Sequence, residues 1–136
     1  MKYMLDTNIC IYIIKRKPTS VLEKMNEHLS DGFCISSITL AELKHGVFAS
    51  KSVEKNNIAL HQFLSIIDVV NFDDEAALEY GKIAADLKRK GTPIGPMDTL
   101  IAAHARVVDK ILVTNNTKEF ERVPNLKIEN WVADSF

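Results

Sequence analysis

Residues 3–14 read YMLDTNICIYII. Tyr3-Met4-Leu5 is a short apolar run of strand type, and Ile9 to Ile14 is apolar enough to be buried. Between them stand Asp6, Thr7 and Asn8, three polar side chains inside what is otherwise core. A carboxylate is costly to bury unless it is paired, hydrogen-bonded or coordinating. The stretch therefore reads as a core strand that delivers Asp6 to a functional edge, followed by a buried segment. The plainer alternative is that Asp6 ends a strand and caps the next helix, as Asx residues do.

Working outward, apolar β-branched runs alternate with helical patterns. KYMLDT, FCISSI, IDVVNF and KILVTN are strand candidates, and LKIENW is a possible fifth at the edge. TSVLEKMNEHL carries Val21, Leu22, Met25 and Leu29 on one helical face. TLAELKHGVFAS reads as a helix capped by Ser37 or Thr39, and SVEKNNIALHQFLSII as a further helix. DDEAALEYGKIAADLKRKG has Asp73 or Asp74 as cap, the stripe Tyr80, Ile83, Ala84, Leu87, and Gly91 placed to stop it. PMDTLIAAHARVV opens on Pro96, a favoured first helical residue. Strands alternating with helices predict a three-layer α/β domain around a parallel sheet of four to five strands. The excess of helices means that some crossovers carry two. No repeat, low-complexity tract or linker divides residues 1–136, and that length suits one domain.

Composition narrows the class. The chain is 46% hydrophobic and 26% charged, the balance of a soluble globular protein. No apolar run approaches the ~18 residues that span a bilayer, and no signal-peptide pattern opens the chain. The two cysteines, Cys10 and Cys34, lie in apolar surroundings and read as buried hydrophobes, which suits a reducing cytoplasm. The net charge of −1 supplies no global field for a polyanion. Two basic clusters, Lys15-Arg16-Lys17 and Lys88-Arg89-Lys90, read as solvated helix ends or as phosphate contacts.

In an open parallel sheet, ligands bind outside the carboxyl ends of the strands. Asp6 ends the first strand, Glu42 lies in the first turns of the helix after the second, and Asp98 lies in the first turn of the PMDTLIAAHA helix. Glu119 follows the fourth strand. Four segments thus bring carboxylates to one edge, where they repel one another unless a cation is present. Oxygen-only ligation selects hard ions, Mg²⁺ or Mn²⁺. His28, His45, His61 and His104 show no zinc spacing.

Four segments stand in order across the whole chain: MLDTNICIYIIK, ISSITLAELKHG, KGTPIGPMDTLIAAHA and LVTNNTKEFERVPNLKIENW. Together they resemble the PIN-domain ribonuclease toxins of the VapC family, from bacterial type II toxin–antitoxin systems. The resemblance implies a PIN-like α/β/α fold and Mg²⁺ held by Asp6, Glu42 and Asp98. It implies a fourth acidic position within TNNTKEF. Some relatives carry aspartate where Asn116 stands, so Glu119 is the nearest carboxylate here. Thr7 and Asn8 would border the site, with Asn8 orienting a carboxylate. Thr114, Asn115 and Asn116 would support the carboxylates or touch phosphate. The expected activity is hydrolysis of structured RNA, in the manner of transfer-RNA anticodon-loop cleavers, with Glu42 or Glu119 as proton acceptor. The resemblance also implies a homodimer and larger assemblies with a VapB-type antitoxin, whose tail would lie across Ile11, Ile14, Leu43 and Val47.

Two other readings compete. A haloacid-dehalogenase-like phosphatase carries D-x-D after its first strand; here Asp6-Thr7-Asn8 lacks the second aspartate. A non-catalytic module would use the acidic cleft only to bind a partner.

Overall fold

The structure is a computed structural model that describes residues 1–132. Five strands, β1 (Tyr3–Leu5), β2 (Phe33–Ser36), β3 (Asp68–Val70), β4 (Ile111–Val113) and β5 (Ile128–Glu129), form one sheet in the order β3-β2-β1-β4-β5. Every neighbouring pair is parallel. The first three crossovers carry two helices each: α1 (Thr7–Lys15) and α2 (Thr19–Glu27), α3 (Ser37–Phe48) and α4 (Val53–Leu64), α5 (Asp74–Arg89) and α6 (Pro96–Val107). A short helix, α7 (Thr117–Phe120), joins β4 to β5. No helix among the described residues is long and apolar enough to cross a membrane.

The strand residues alternate between two cores, as the period-two geometry of a strand requires. Tyr3, Leu5, Phe33, Ile35 and Val113 pack with Ile9, Ile13, Leu43, Val47, Leu60 and Phe63 of α1, α3 and α4. Met4, Cys34 and Leu112 turn the other way, onto Ile83 and Leu87 of α5 and Ile101, Ala102 and Ala105 of α6. Cys10 and Cys34 are free and buried on opposite sides of the sheet.

The helix caps follow the sequence with one correction. Asp73 caps α5 by accepting the Ala76 N–H at 3.0 Å. The cap of α3 is neither Ser37 nor Thr39. Ser36, extended at the end of β2, accepts the Ile38 N–H at 3.1 Å, and the helix begins one residue later. Ser37 instead accepts the Phe72 N–H at 2.9 Å, and Thr39 lies buried within the first turns.

Gly91 ends α5 with φ +71°. Its N–H bonds the Lys88 carbonyl at 3.1 Å and the Thr92 N–H bonds Leu87 at 2.9 Å, the paired pattern of a Schellman motif. A Cβ at Gly91 would meet nothing within 4 Å, so the cost of a side chain there is conformational alone. Gly91→Ala is expected to lower stability by about 1 kcal/mol, read as a drop in Tm of about 4 °C by calorimetry.

Candidate active site

The strand order reverses between β1 and β4: from β1 the chain builds outward through β2 to β3, then returns to place β4 on β1's other side. That reversal opens the crevice in which open α/β sheets bind ligands. Asp6 sits at the end of β1 and Thr114 at the end of β4, and the Asp6 N–H bonds the Val113 carbonyl at 3.1 Å. Asp6 is 5% exposed. It does cap α1, through Oδ1 to the Ile9 N–H at 2.9 Å. The capping alternative is therefore true without being the whole account, because the Thr114 side chain and the Glu42 charge also bear on this carboxylate. Burial nonetheless holds the Asp6 carboxyl above its ordinary range, and the Glu42 charge pushes the same way.

The other carboxylates arrive on helices. Glu42 stands in the second turn of α3, where the Thr7 hydroxyl donates to its Oε1 at 2.6 Å. Asp98 lies in the first turn of α6, where the dipole favours an anion. Glu119 is in α7. The Asn116 side-chain amide donates to Glu119 Oε2 at 2.9 Å and lies 3.4 Å from Asp98 Oδ2. Partial burial first, then Glu119, Asp6 and Glu42, raise the Asp98 carboxyl to about 6. The other three carboxylates thus all act on Asp98.

Other residues singled out in the sequence fall as follows. Asn8 is exposed and meets Asp6 through its backbone N–H, while Thr7 is the side chain that holds a carboxylate. Thr114 is fully buried, accepts the Asn116 N–H at 2.9 Å and has no surface for a phosphate. Asn115 is exposed and accepts from Asn130 at 3.2 Å. Ile11, Ile14, Leu43 and Val47 line a groove of about 320 Å³ that also touches Glu42. His45 is exposed. His104 is buried, and its Nδ1 lies 2.7 Å from Ser36 Oγ, so α6 is braced against the cap of the helix that carries Glu42. Burial lowers the basicity of that imidazole. This brace spans 68 residues and leaves no local pattern in the sequence.

Comparison with known proteins places this geometry. The chain is 52% identical over 132 residues to "tRNA(fMet)-specific endonuclease VapC" of Shigella flexneri, covering 96% of this chain and 98% of that protein. It is 46% identical to "Ribonuclease VapC2" of Haemophilus influenzae, over 97% of this chain and 99% of that one. The PIN domain family matches residues 3–126. The chain belongs to the VapC family of PIN-domain ribonucleases. Among solved VapC structures, the Rickettsia felis VapBC2 complex bound to a promoter DNA fragment superposes with TM-score 0.92. That chain is 44% identical, and the match covers 97% of this chain and 100% of that one. The five-stranded parallel sheet with helices on both faces is the PIN fold.

The donor set, all carboxylate and other oxygen ligands, is of the kind that suits a hard divalent cation. Every candidate ligand atom at the edge is oxygen, and burial first, with the neighbouring carboxylates adding to it, raises the Asp6 and Asp98 carboxyls. Among the described residues no three His, Cys, Asp or Glu side chains stand close enough together to hold a metal ion as they are placed here. Thr7 and Asn116, by holding Glu42 and Glu119, keep the acids around an open site.

A raised carboxyl destabilises the folded state once ionised. The folded protein holds the Asp98 proton up to pH about 6, whereas the unfolded chain releases it near 3.8, so this group's penalty grows as pH rises between those values. Asp98→Asn is therefore expected to stabilise the metal-free protein at pH 7.5 by about 1 kcal/mol after discounting for solvent screening. The gain should vanish near pH 4, as followed by thermal unfolding in chelator.

Proposed function

We propose that this chain is a Mg²⁺-dependent endoribonuclease toxin, acting in the cytoplasm on structured RNA and held in check by a VapB-type antitoxin. The observation that carries the reading is Asp98. Burial first, then Glu119, Asp6 and Glu42, raise its carboxyl to about 6, so the charges of three further acids from three other segments reach it in one crevice at the sheet's switch point. Transfer RNA is the substrate class that the Shigella relative's name favours. The phosphatase reading loses its support, because Asn8, where D-x-D needs an acid, is an exposed amide.

The chain's own groups divide the work. Asp6, Glu42 and Asp98 would hold Mg²⁺, with Mn²⁺ able to substitute, and Glu119 completes the acidic ring. When bound, the cation stabilises charge on the phosphate and leaving oxygen and eases deprotonation of the attacking water. The Ile9 N–H fixes Asp6, and Thr7 fixes Glu42. Asn116 orients Glu119 beside Asp98, leaving Glu42 or Glu119 to accept the water's proton. Held carboxylates lower the reorganisation needed during attack.

The test is cleavage of transfer RNA by the purified protein with Mg²⁺. We expect discrete fragments, abolished by chelator and reduced about 10³-fold or more in Asp6→Asn and Asp98→Asn, the scale of losing a principal electrostatic group. Full activity in both variants would overturn the assignment.

Control by antitoxin follows from the groove beside Glu42. The Rickettsia neighbour is a toxin–antitoxin complex, and an apolar channel lined by Ile11, Ile14, Leu43 and Val47 suits an amphipathic or extended tail. A basic side chain from that tail, entering past Glu42, would pair with Asp6 and Asp98 in place of the cation. Ile14, only partly buried, can be changed without opening the core. Ile14→Asp should weaken antitoxin binding at least about tenfold (about 1.4 kcal/mol) while cleavage persists; unchanged affinity by calorimetric titration would place the tail elsewhere. The free toxin is expected to be a homodimer, with Phe48, 67% exposed, among its uncovered apolar side chains.

A further inference from the structure

We propose that the carboxyl end of α5, with Lys88, Arg89 and Lys90, and the adjacent Arg122 form a cationic rim that holds the RNA backbone beside the acidic crevice. This rests on the ribonuclease reading and adds where the polyanion is gripped.

The need is electrostatic. An RNA strand approaching four carboxylates is repelled, and a net charge of −1 supplies no compensating field. Attraction must come from cations placed locally. The sequence contains two basic triplets, and the fold separates them. Helix α1 starts at the site, capped by Asp6, and its nine residues carry Lys15 about 14 Å along the axis away from it.

Helix α5 runs the opposite way. Glu79 pairs with Arg106 near the carboxyl end of α6. Leu87 instead lines a pocket with Pro96 and Thr99, in the first turn of α6 that also carries Asp98. The two helices are therefore antiparallel, and α5 finishes at the catalytic edge. The Schellman turn at Gly91 ends it there, and only Thr92 to Gly95 separate that turn from Pro96. A Cβ on Gly95 would stand 4.0 Å from Asp98 Oδ2, so this connection borders the carboxylate itself.

Lysines at a helix carboxyl end are explained in part by the dipole. Arg122 is not, because it comes from the segment after α7. Its Nη1 donates to the Pro93 carbonyl at 3.0 Å, which sets a further guanidinium on the α5–α6 connection. All four side chains are exposed. Lys90 bonds Asp86 at 3.0 Å, an exposed pair of the kind a phosphate displaces at little cost.

The experiment measures binding of a fluorescent RNA hairpin to the Asp98→Asn protein across a salt series. A triple variant, Lys88→Ala/Arg89→Ala/Arg122→Ala, is compared with Lys24→Ala/Lys55→Ala/Lys127→Ala, which changes net charge equally at distant sites. The rim triple should weaken binding at least tenfold at low salt and lower the slope of log Kd against log salt by about 2, at about 0.7 per lost phosphate contact. Lys88→Ala/Arg89→Ala alone leaves the Arg122–Pro93 bond intact and should give about two thirds of that slope change. The control triple should leave the slope unchanged. Equal weakening by both triples, or by neither, overturns the rim. Cleavage by the wild-type chain reports separately on the ribonuclease reading. Cleavage without a rim effect defeats this inference alone, and a rim effect without cleavage defeats that reading alone.

Discussion

The parallel pairing of β1 with β4, Leu5 against Val113, is the constraint on which the rest of the site depends. It brings two strand ends together that are separated by over a hundred residues of chain, at the one place where the sheet reverses its order of growth. Asp6 and Thr114 are the next residues on the two strands. The Asp6 N–H bonded to the Val113 carbonyl closes the crevice floor, and the Asn116 N–H bonded to Thr114 starts the turn that carries Glu119. A shift of one residue in this register would turn Asp6 and Thr114 to other faces and separate them.

Once the floor is set, repulsion governs the walls. Buried or half-buried carboxylates so near one another oppose folding. The chain tolerates them by tying each to a neutral donor: the Ile9 amide on Asp6, Thr7 on Glu42, and Asn116 on Glu119 and, at 3.4 Å, on Asp98. Neutral donors orient the acids without cancelling their charge, which is what the proposed cation site would require. The same edge borders an apolar groove on the α1–α3 side and a run of exposed cations on the α5 side. Inhibitor and substrate would thus approach one acidic centre from different flanks.

The acids themselves could be singled out in the sequence, because Asp6 ends an apolar strand and the other three stand in or near the first turns of helices. Asp6 interrupts YML and ICIYII, and Asp98 follows Pro96 at a helix start. The overall alternation of strands and helices likewise carries its own period. The partners of the acids could not be found that way. Thr7 and Glu42 are 35 residues apart, and nothing local distinguishes Thr7 as the orienting side chain in preference to Asn8. Thr114 looked available to phosphate until the β1–β4 pairing buried it. The direction of α5, which separates one basic triplet from the other, depends on its packing against α6 and is absent from either helix's own pattern.

The central claim is that these carboxylates wait for a divalent cation. Calorimetric titration of Mg²⁺ in two buffers of different ionisation enthalpy tests it most directly, because the difference in heat counts protons released. With the Asp98 carboxyl near 6, binding at pH 6 should release roughly half a proton or more, and release should fade at pH 8. Mg²⁺ binding with no proton release at pH 6, or no binding at either pH, would contradict the account.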